Sequence, residues 1–466
     1  MTHRSTRRDF LKHMAMAGAG YCVAAGMSPA QPRSPNEQLA FACIGVGGKG
    51  SSDTDQVSEF GNIVALCDID EKELNAKAQK FPKAKKYRDF RKLLEEMGKS
   101  VDAVTVSTAD HTHAHASILA MRQGKHVYCQ KPLTHSVWEA RQMRETAASM
   151  KVCTQMGNQG TAHDNLRTAV EVIQSGAIGP VHEVHVWTDR PGRYWPQAPH
   201  VLARPAEATP PSHVDWDLWI GPAPFRPYAV YGPEVKARQR QAYHPFNWRG
   251  WWDFGTGALG DMGCHTANLA FMALQLKHPS SVAAEGSDVN PETCPSWATI
   301  TLQFPRRGDG PHQQAVKLFW YEGQRHGQKN LPSLDLLHGE KPPGSGSILV
   351  GDKGALYSPS DYGASYKLLP AKDFVDFKPP ASKLPRNGKG DTGMKAEWVE
   401  AIRAGKPEMA LSNFDYAGHL TEAILLGNVA LRAGKTLEWD GPNLKATNCA
   451  EAAQYIRRAY RKGWEL

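Results

Sequence analysis

The feature that most constrains this chain is a glycine pattern between a short apolar strand and a helix. Residues 39–44 are continuously apolar, and residues 45–50 then read Gly-x-Gly-x-x-Gly. These glycines allow a tight turn, close approach of a pyrophosphate to the backbone, and close packing of the helix on the strand. The helix N-terminus adds N–H donors for phosphate oxygens. The pattern predicts a dinucleotide-binding loop whose cofactor contacts are Gly45, Gly47, Gly48, Lys49 and Gly50.

An acidic residue follows the second predicted strand. Residues 63–67 are apolar, and Asp68 comes next, 18 residues after Gly50. A carboxylate at this position accepts hydrogen bonds from a ribose 2′-hydroxyl and repels a 2′-phosphate. We therefore expect the cofactor to be NAD, with NADP the less favoured alternative.

Strand and helix patterns alternate as far as residue 156. This alternation predicts an α/β fold with a doubly wound parallel sheet. Ligands of such sheets bind at the carboxyl ends of the strands. The residues predicted to lie at those ends are the 45–50 loop, Asp68, Thr108, Lys131 and Asn158.

Three further motifs carry a family resemblance. Residues 108–113 read Thr-Ala-Asp-His-Thr-His, residues 124–132 contain Gly-Lys-His-Val and Gln-Lys-Pro, and residues 257–265 read Gly-Ala-Leu-Gly-Asp-Met-Gly-Cys-His. They resemble the Thr-Pro-Asn-x-x-His, Gly-Lys-His-Val with Glu-Lys-Pro, and Gly-x-Leu-x-Asp-x-Gly-x-His motifs of one family. It is the glucose–fructose oxidoreductase, inositol dehydrogenase and rhizopine-catabolism (Gfo/Idh/MocA) family.

This resemblance implies two domains and an activity. The first is an NAD-binding Rossmann domain at 36–157. The second, at 158–466, is an α/β substrate and oligomerisation domain whose open, mostly antiparallel sheet covers the nicotinamide. The implied enzyme is an NAD(P)-dependent oxidoreductase that acts on CH–OH groups of a carbohydrate, and it forms a homodimer or homotetramer.

Oxidation of a hydroxyl needs a base within reach while a hydride leaves for the nicotinamide. Asp261 and His265 are four residues apart, so they share one face of a helix. By resemblance, His265 is the general base, Lys131 holds and polarises the hydroxyl, and Asp261 binds the substrate. The alternatives are a helix-terminal carboxylate for Asp261 and a buried, satisfied histidine for His265.

Three other residues of these motifs are assigned to the cofactor: Thr108, His113 and Gln130. Asn158, which follows the sixth predicted strand, is also assigned to the cofactor, with the substrate as the other ligand it could contact. For Asn158 a structural turn is the alternative. A metal site at His111, His113 and His115 is not favoured, because their spacing spans a turn and a helix start and no acidic or cysteine cluster completes it.

The chain departs from the family motifs at Ala109, which replaces Pro, and at Gln130, which replaces Glu. A neutral amide beside Lys131 favours its charged form less than a carboxylate does. We therefore expect Lys131 to lose its proton more readily than in typical relatives.

Tryptophan is concentrated before the predicted catalytic helix. The segment 190–249 is rich in Pro, Arg and aromatic residues, and it predicts an ordered long loop over the site. Aromatic faces suit the apolar side of a sugar ring. We assign Trp252 to the substrate, with core packing as the alternative.

Residues 1–30 resemble a twin-arginine export signal. Arg7 and Arg8 precede Phe-Leu-Lys, an uncharged small-residue segment follows, and residues 28–30 offer a small-x-small cleavage site. This predicts a periplasmic protein that is exported folded. Seven cysteines lie beyond residue 30 without any Cys-x-x-Cys pair, and we expect buried thiols rather than disulfides.

The net charge of +8 is dispersed along the chain, so it does not indicate nucleic-acid binding. No apolar run reaches the roughly 18 residues that a membrane span requires.

Because free NAD is not expected outside the cytoplasm, the cofactor should be tightly bound and regenerated in place, with an electron carrier as a possible acceptor. The favoured function is an NAD-dependent oxidoreductase of a sugar, glycoside or cyclitol. An NAD-dependent glycosidase that works through a 3-keto intermediate is the alternative, and a non-catalytic sugar-binding protein is a remote one.

Overall fold

The predicted parallel sheet is present. The computed structural model describes residues 38–466. Its first sheet has six parallel strands in the order β3-β2-β1-β4-β5-β6. These strands are β1 (Leu39–Ile44), β2 (Gly61–Cys67), β3 (Lys85–Tyr87), β4 (Ala103–Val106), β5 (His126–Cys129) and β6 (Thr154–Met156). The predicted export signal lies outside the described residues.

Five helices connect or flank these strands. They are α1 (Gly48–Val57), α2 (Glu71–Lys80), α3 (Phe90–Met97), α4 (Asp110–Arg122) and α5 (Val137–Met150). The middle strands β1, β4 and β5 are almost entirely buried, as expected for a parallel sheet covered on both faces. Because the strands are parallel, the carboxyl ends of β1, β2, β4 and β5 lie at one edge of the sheet, and the predicted site residues follow these ends.

The second sheet has ten strands and is mostly antiparallel, so both sheets predicted for the fold class are confirmed. Its strand order is β14-β13-β12-β7-β10-β9-β8-β15-β16, and β11 pairs with β10. The one parallel pair is β7 with β10. The strands are β7 (Val181–Thr188), β8 (Ser281–Gly286), β9 (Trp297–Phe304), β10 (Val316–Arg325), β11 (Gln328–Lys329), β12 (Ser345–Gly351), β13 (Gly354–Ser358), β14 (Lys367–Leu369), β15 (Leu437–Asp440) and β16 (Lys445–Ala446).

Helices of the second part pack between the sheets and on the first sheet. They are α6 (Asp164–Gln174), α7 (Trp216–Ile220), α8 (Gly257–Thr266), α9 (Asn268–Leu274), α10 (Gly390–Ala404), α11 (Phe414–Ala433) and α12 (Ala453–Ile456). Helix α10 packs on the first sheet, where the Trp398 ring lies 5.9 Å from Phe41 and 5.8 Å from Tyr128. Helix α10, from the second half of the chain, therefore completes the core around the first sheet.

The predicted long loop is ordered and lies against the carboxyl edge of the first sheet. Residues 189–255 contain one short α-helix, α7, one 3-10 helix at Asn247–Gly250, and a buried aromatic cluster that includes Trp216, Trp219 and Tyr243. Backbone hydrogen bonds join it to the end of β2: Glu71 N–H donates to His213 O at 2.8 Å, and Asp215 N–H donates to Ile69 O at 3.0 Å. Within residues 38–466, every helix is too short or too polar to cross a membrane.

Candidate active site

The glycine-rich loop adopts the compact turn that its sequence predicts. Gly45 has a φ of +78°, and a Cβ there would lie 2.6 Å from Ser107 O. A Cβ on Gly50 would lie 2.0 Å from Gly45 O, so a larger residue would push α1 away from β1. Nothing lies within 4 Å of a Cβ built on Gly48, the first residue of α1. The helix N-terminus is therefore open to a phosphate.

Asp68 supports this loop from the end of β2. Its Oδ2 accepts hydrogen bonds from Val46 N–H at 2.8 Å and Gly47 N–H at 3.2 Å, and its Oδ1 accepts one from Asp70 N–H at 2.9 Å. Burial raises the pKa of Asp68, and the hydrogen bonds oppose that rise. The carboxylate both shapes the loop and faces the cavity beside it.

A cavity of about 510 Å³ runs along the carboxyl edge of the first sheet. It begins at the loop and Asp68, and its walls include the long loop through Trp219, His244 and Phe246. Of the predicted site residues it is lined by Gly45, Gly47, Gly48, Lys49, Asp68, Thr108, Gln130, Lys131, Asp261 and His265. The sequence thus brings both the dinucleotide-loop residues and the predicted catalytic residues to one cavity.

Lys131 and Asp261 form an ion pair in this cavity. Lys131 Nζ lies 2.6 Å from Asp261 Oδ1 and also donates to Asp261 O at 2.9 Å. Arg190 Nη1 lies 3.3 Å from Asp261 Oδ2, and Arg249 Nε lies 3.5 Å from Asp261 Oδ1. Burial alone would raise the pKa of Asp261, but Lys131, Arg249 and Arg190 hold it well below its usual range. Asp261 is therefore ionised and keeps Lys131 in place.

His265 lies on the same face of α8 as Asp261, as their spacing predicts. Its side chain is 3% exposed, and its Nδ1 is buried without a hydrogen-bond partner among the described residues. The ring meets Tyr362 edge-on, with centroids 4.5 Å apart. Burial and the charge of Lys131 lower the pKa of His265 well below its usual range. The imidazole is therefore neutral and carries one unprotonated ring nitrogen.

Asp110 is a site residue that our sequence reasoning missed. It lines the cavity at the start of α4, is 3% exposed, and accepts a hydrogen bond from Thr256 Oγ1 at 2.8 Å. Burial raises the pKa of Asp110 to about 7, although Thr256, Arg249 and Lys131 oppose the rise. The signal was available, because Asp110 stands where the resembling motif has Asn.

The side chain of Gln130 is hydrogen-bonded to helix α1. Its Nε2 donates to Asp53 Oδ2 at 2.8 Å, and the carboxylate beside Lys131 is Asp261. Asp53 Oδ1 also lies 2.8 Å from Lys49 Nζ and 2.7 Å from Lys395 Nζ. The side chains of Gln130 and Lys131 therefore have different partners, and we find no direct contact through which residue 130 would set the charge state of Lys131.

Asn158 and His113 are buried outside the cavity lining. Asn158 Nδ2 donates to Asn268 Oδ1 at 3.1 Å, and its Oδ1 accepts from Ser412 Oγ at 2.6 Å. The ring nitrogens of His113 lie 2.8 Å from Pro132 O and 3.0 Å from Thr108 O. In this structure both side chains bridge backbone or buried polar groups and do not reach the cofactor cavity.

Trp252 also lies away from this cavity. Its indole N–H donates to Asn290 O at 3.0 Å, and its ring packs against the Arg432 guanidinium in a second, smaller cavity. The structure therefore does not place Trp252 with Lys131, Asp261 and His265. The tryptophans that line the large cavity are Trp195, Trp219, Trp248 and Trp464.

No set of three His, Cys, Asp or Glu residues within 38–466 is arranged to hold a metal ion. The histidines at 111, 113 and 115 each contact a backbone carbonyl oxygen through Nε2. These contacts are to Trp219 at 2.9 Å, Thr108 at 3.0 Å and Trp464 at 2.8 Å.

The chemistry of the cavity walls fits a dinucleotide. The open N-terminus of α1 would hold the pyrophosphate, and Asp68 would receive a ribose hydroxyl. A reacting hydroxyl carbon would then lie near Lys131 and His265, which line the other part of the same cavity.

Family models agree with this division of the chain. An oxidoreductase model described as an NAD-binding Rossmann fold matches residues 12–158. A second model from the same family, described as its C-terminal alpha/beta domain, matches residues 163–311. Together they span well over half of the chain.

Curated relatives match the chain over a shorter region. Myo-inositol 2-dehydrogenase of Thermotoga maritima is 27% identical over 155 residues, which is 33% of this chain and 46% of that protein. A glycosyl hydrolase family 109 protein of Solibacter usitatus is 28% identical over 195 residues, which is 38% of this chain and 44% of that protein. The chain thus spans less than half the length of these relatives.

Solved structures share the fold over most of the chain. The WlbA dehydrogenase of Chromobacterium violaceum, solved with NADH and UDP-GlcNAcA, has a TM-score of 0.58 at 14% identity and covers 89% of this chain and 99% of its own. Aldose–aldose oxidoreductase of Caulobacter crescentus has a TM-score of 0.55 at 16% identity, covering 86% and 100%. The motifs, the two-sheet fold and the two domain models show that this chain belongs to the Gfo/Idh/MocA oxidoreductase family, with an NAD-binding Rossmann domain.

Proposed function

We propose that this protein is an NAD-dependent oxidoreductase that transfers a hydride between a carbohydrate or cyclitol hydroxyl carbon and a tightly held nicotinamide. One observation carries the proposal: Lys131, Asp261 and His265 line the same cavity as the glycine-rich loop and Asp68. The inositol dehydrogenases among its relatives support the substrate class.

The chain's own residues supply the proton chemistry. The neutral His265 accepts the hydroxyl proton as the carbon–oxygen single bond of the substrate becomes a carbonyl. Lys131, held by Asp261, donates a hydrogen bond to the same oxygen and stabilises the charge that develops on it. Bound NAD supplies the hydride acceptor. The nearby arginines keep Asp261 ionised, so Lys131 stays oriented towards the hydroxyl.

A glycosidase cycle is the second candidate, and two observations favour it. Glycosyl hydrolase family 109 proteins are among the relatives. Such a cycle also needs one more group that exchanges a proton near neutral pH, and burial raises the pKa of Asp110 in this cavity to about 7. In that cycle the hydride returns to the sugar after the glycosidic bond is eliminated and water is added.

The two candidates are separated by incubating natively purified protein, without added cofactor, with sugars and glycosides in heavy water. A rise of reduced nicotinamide that stops near one equivalent, with no released aglycone, indicates the dehydrogenase. Sustained aglycone release with deuterium beside the anomeric carbon and no net reduction indicates the glycosidase. His265→Ala is the control for both, and activity equal to wild type in that variant overturns the proposed site.

The export signal leads to the proposed location. We infer that residues 1–30 direct the folded protein to the periplasm with its cofactor bound. All seven cysteines of residues 38–466 are free and buried, which suits folding in the reducing cytoplasm before export. Replacing Arg7 and Arg8 together by Lys should leave the precursor in the cytoplasm, as measured by fractionation and immunoblotting. Unchanged export would contradict the assignment.

We also propose that copies of this chain associate through the outer face of the second sheet. His185 on β7 stacks with Phe319 and Tyr321 on β10. The side chains of Phe319 and Tyr321 are only partly buried. Light scattering of wild type and of a Phe319→Glu, Tyr321→Glu variant measures the association. The variant is expected to be a monomer.

A further inference from the structure

A second cavity lies behind the catalytic helix, outside the cofactor cavity. It measures about 40 Å³ and is enclosed by the segment before α5, the residues that lead into α8, the end of α11 and the C-terminal segment. Its walls include His135, Trp252, Thr256, Arg432 and Arg458. This volume corresponds to about three water positions, so one tetrahedral anion fits and a sugar does not.

Arg432 brings an uncompensated positive charge to this cavity. Its guanidinium carbon lies 4.2 Å from the ring centre of Tyr455 and 5.2 Å from that of Trp252. It forms no ion pair with any carboxylate of residues 38–466. Asp253 acts on it from further away and is itself paired with Arg226. A half-buried arginine without an anion is costly, because burial disfavours the charge and the two ring faces compensate it only in part.

Two residues of the cavity walls each have a polar atom without a partner in the described part of the chain. These atoms are Nη1 of Arg458 and Nδ1 of His135, and both are buried. The other groups of Arg458 are engaged, with Nε 2.9 Å and Nη2 2.8 Å from Glu139 Oε1. Nη1 is thus a donor without a partner, on a residue that lines the same cavity as Arg432.

His135 adds an acceptor to these donors. Its Nε2 lies 2.8 Å from Trp252 O, which can only accept a hydrogen bond, so Nε2 carries the proton. In the neutral ring Nδ1 is therefore an acceptor. Burial, together with the charges of Arg458 and Arg432, favours this neutral form by holding the pKa of His135 well below its usual range.

We propose that this cavity is a binding site for inorganic hydrogenphosphate. Its unprotonated oxygens would accept from Arg432 and from Nη1 of Arg458, and its hydroxyl would donate to Nδ1 of His135. Sulfate and chloride provide no such donor near neutral pH. The ligand would join the C-terminal segment to Thr256, the residue before α8.

The test is calorimetric titration of phosphate into the full-length protein with NAD saturating, so that the glycine-rich loop is already filled. We expect one phosphate per chain, and a rise in Tm of about 2 °C or more at saturation. Sulfate and chloride at equal ionic strength should bind at least tenfold more weakly. Equal binding of sulfate overturns the role of His135, and no saturable binding of phosphate means that the cavity holds water only.

Matched variants locate the binding. Arg432→Gln should abolish the phosphate-dependent rise in Tm, and His135→Phe should remove the preference for phosphate over sulfate. Arg457→Gln is the control, because Arg457 stacks on Trp138 at 4.2 Å but does not line the cavity. If Arg432→Gln folds and still binds phosphate as wild type does, the site lies elsewhere and the proposal fails.

Discussion

Gln130 donates a hydrogen bond to Asp53 at 2.8 Å, which joins the strand end before Lys131 to helix α1. The Gln130→Glu substitution would restore the carboxylate of the family motif, but it would place a second negative charge against Asp53. We expect a loss of about 1–3 kcal/mol in the free energy of unfolding, larger at pH 8 than at pH 5 because the new carboxyl must ionise. Urea unfolding at both pH values measures it.

Gln130→Leu is the matched control, since it removes the hydrogen bond without adding charge. If Gln130→Glu shifts the pH–rate profile without lowering the free energy of unfolding, residue 130 does influence the protonation of Lys131. That result would contradict our interpretation of the Gln130–Asp53 hydrogen bond.

Lys395 is fully buried between Asp53 and Asp391, with Nζ 2.7 and 2.8 Å from their carboxylate oxygens. Lys395→Met leaves buried carboxylates with one cation fewer, so we expect a loss of about 3–5 kcal/mol. The exposed Lys389→Met should change the unfolding free energy by less than about 0.5 kcal/mol. Equal stability of the two variants would show that the negative charges of Asp53 and Asp391 are balanced by groups other than Lys395.

His265→Ala should lower turnover by about 10²–10⁴-fold, because the proton acceptor is lost while the glycine-rich loop is untouched. Bound NAD, measured on the purified protein, should stay near the wild-type amount. His419→Ala removes another buried histidine, on α11 and outside the cavity, and should retain turnover. Loss of NAD together with activity in His265→Ala would make His265 a structural residue.

Asp68→Ala should weaken NAD binding and reduce the preference for NAD over NADP by about tenfold or more, because repulsion of the 2′-phosphate disappears. Some loss for both cofactors is expected, since Asp68 also accepts the Val46 and Gly47 N–H groups. Asp89→Asn removes a charge from the same cavity wall and should leave the preference intact. An unchanged NAD-to-NADP ratio in Asp68→Ala would refute the ribose assignment.

Asp110 makes stability depend on pH. Because burial raises its folded-state pKa to about 7, the folded protein binds a proton that the unfolded chain releases near pH 4. Its contribution therefore falls as pH rises from about 4 to 7, and is lowest above 7. Asp110→Asn should stabilise the protein at pH 8 relative to wild type, with little change at pH 5.

Denaturant unfolding of Asp110→Asn at the two pH values checks this sign, and the exposed Asp376→Asn serves as control. A stabilisation that is the same at pH 5 and pH 8 would mean that Asp110 does not hold the proton.

The sequence predicts those parts of the fold that depend on local pattern. The loop at residues 45–50 and Asp68 were identifiable because their spacing is set by one strand, one turn and one helix. Lys131, Asp261 and His265 were identifiable because each stands in a motif. Lys131 joins the 45–50 loop and Asp68 because strand carboxyl ends share an edge, whereas helix α8 brings Asp261 and His265 to the same cavity.

Other contacts join residues that are far apart in the sequence, and the residues around one of them do not indicate the other. Asp53 and Lys395 meet only because α10 returns to the first sheet. Trp252 and Arg432 meet only because the end of α11 reaches the residues before α8. Burial of Asp110 likewise depends on Thr256 and on the long loop. Such contacts are set by tertiary packing, which local periodicity does not encode.

The long loop at 189–255 forms one wall of the cavity in which we propose that the dinucleotide binds. A dinucleotide in the cavity would lie beneath Trp219 and His244, and the loop is fastened beside it by the hydrogen bonds of Glu71 and Asp215. We expect release to require these bonds to open, so the residence time of the dinucleotide should follow the rate at which the loop opens locally. A dinucleotide held in this way would have to return to its starting oxidation state while it is still bound.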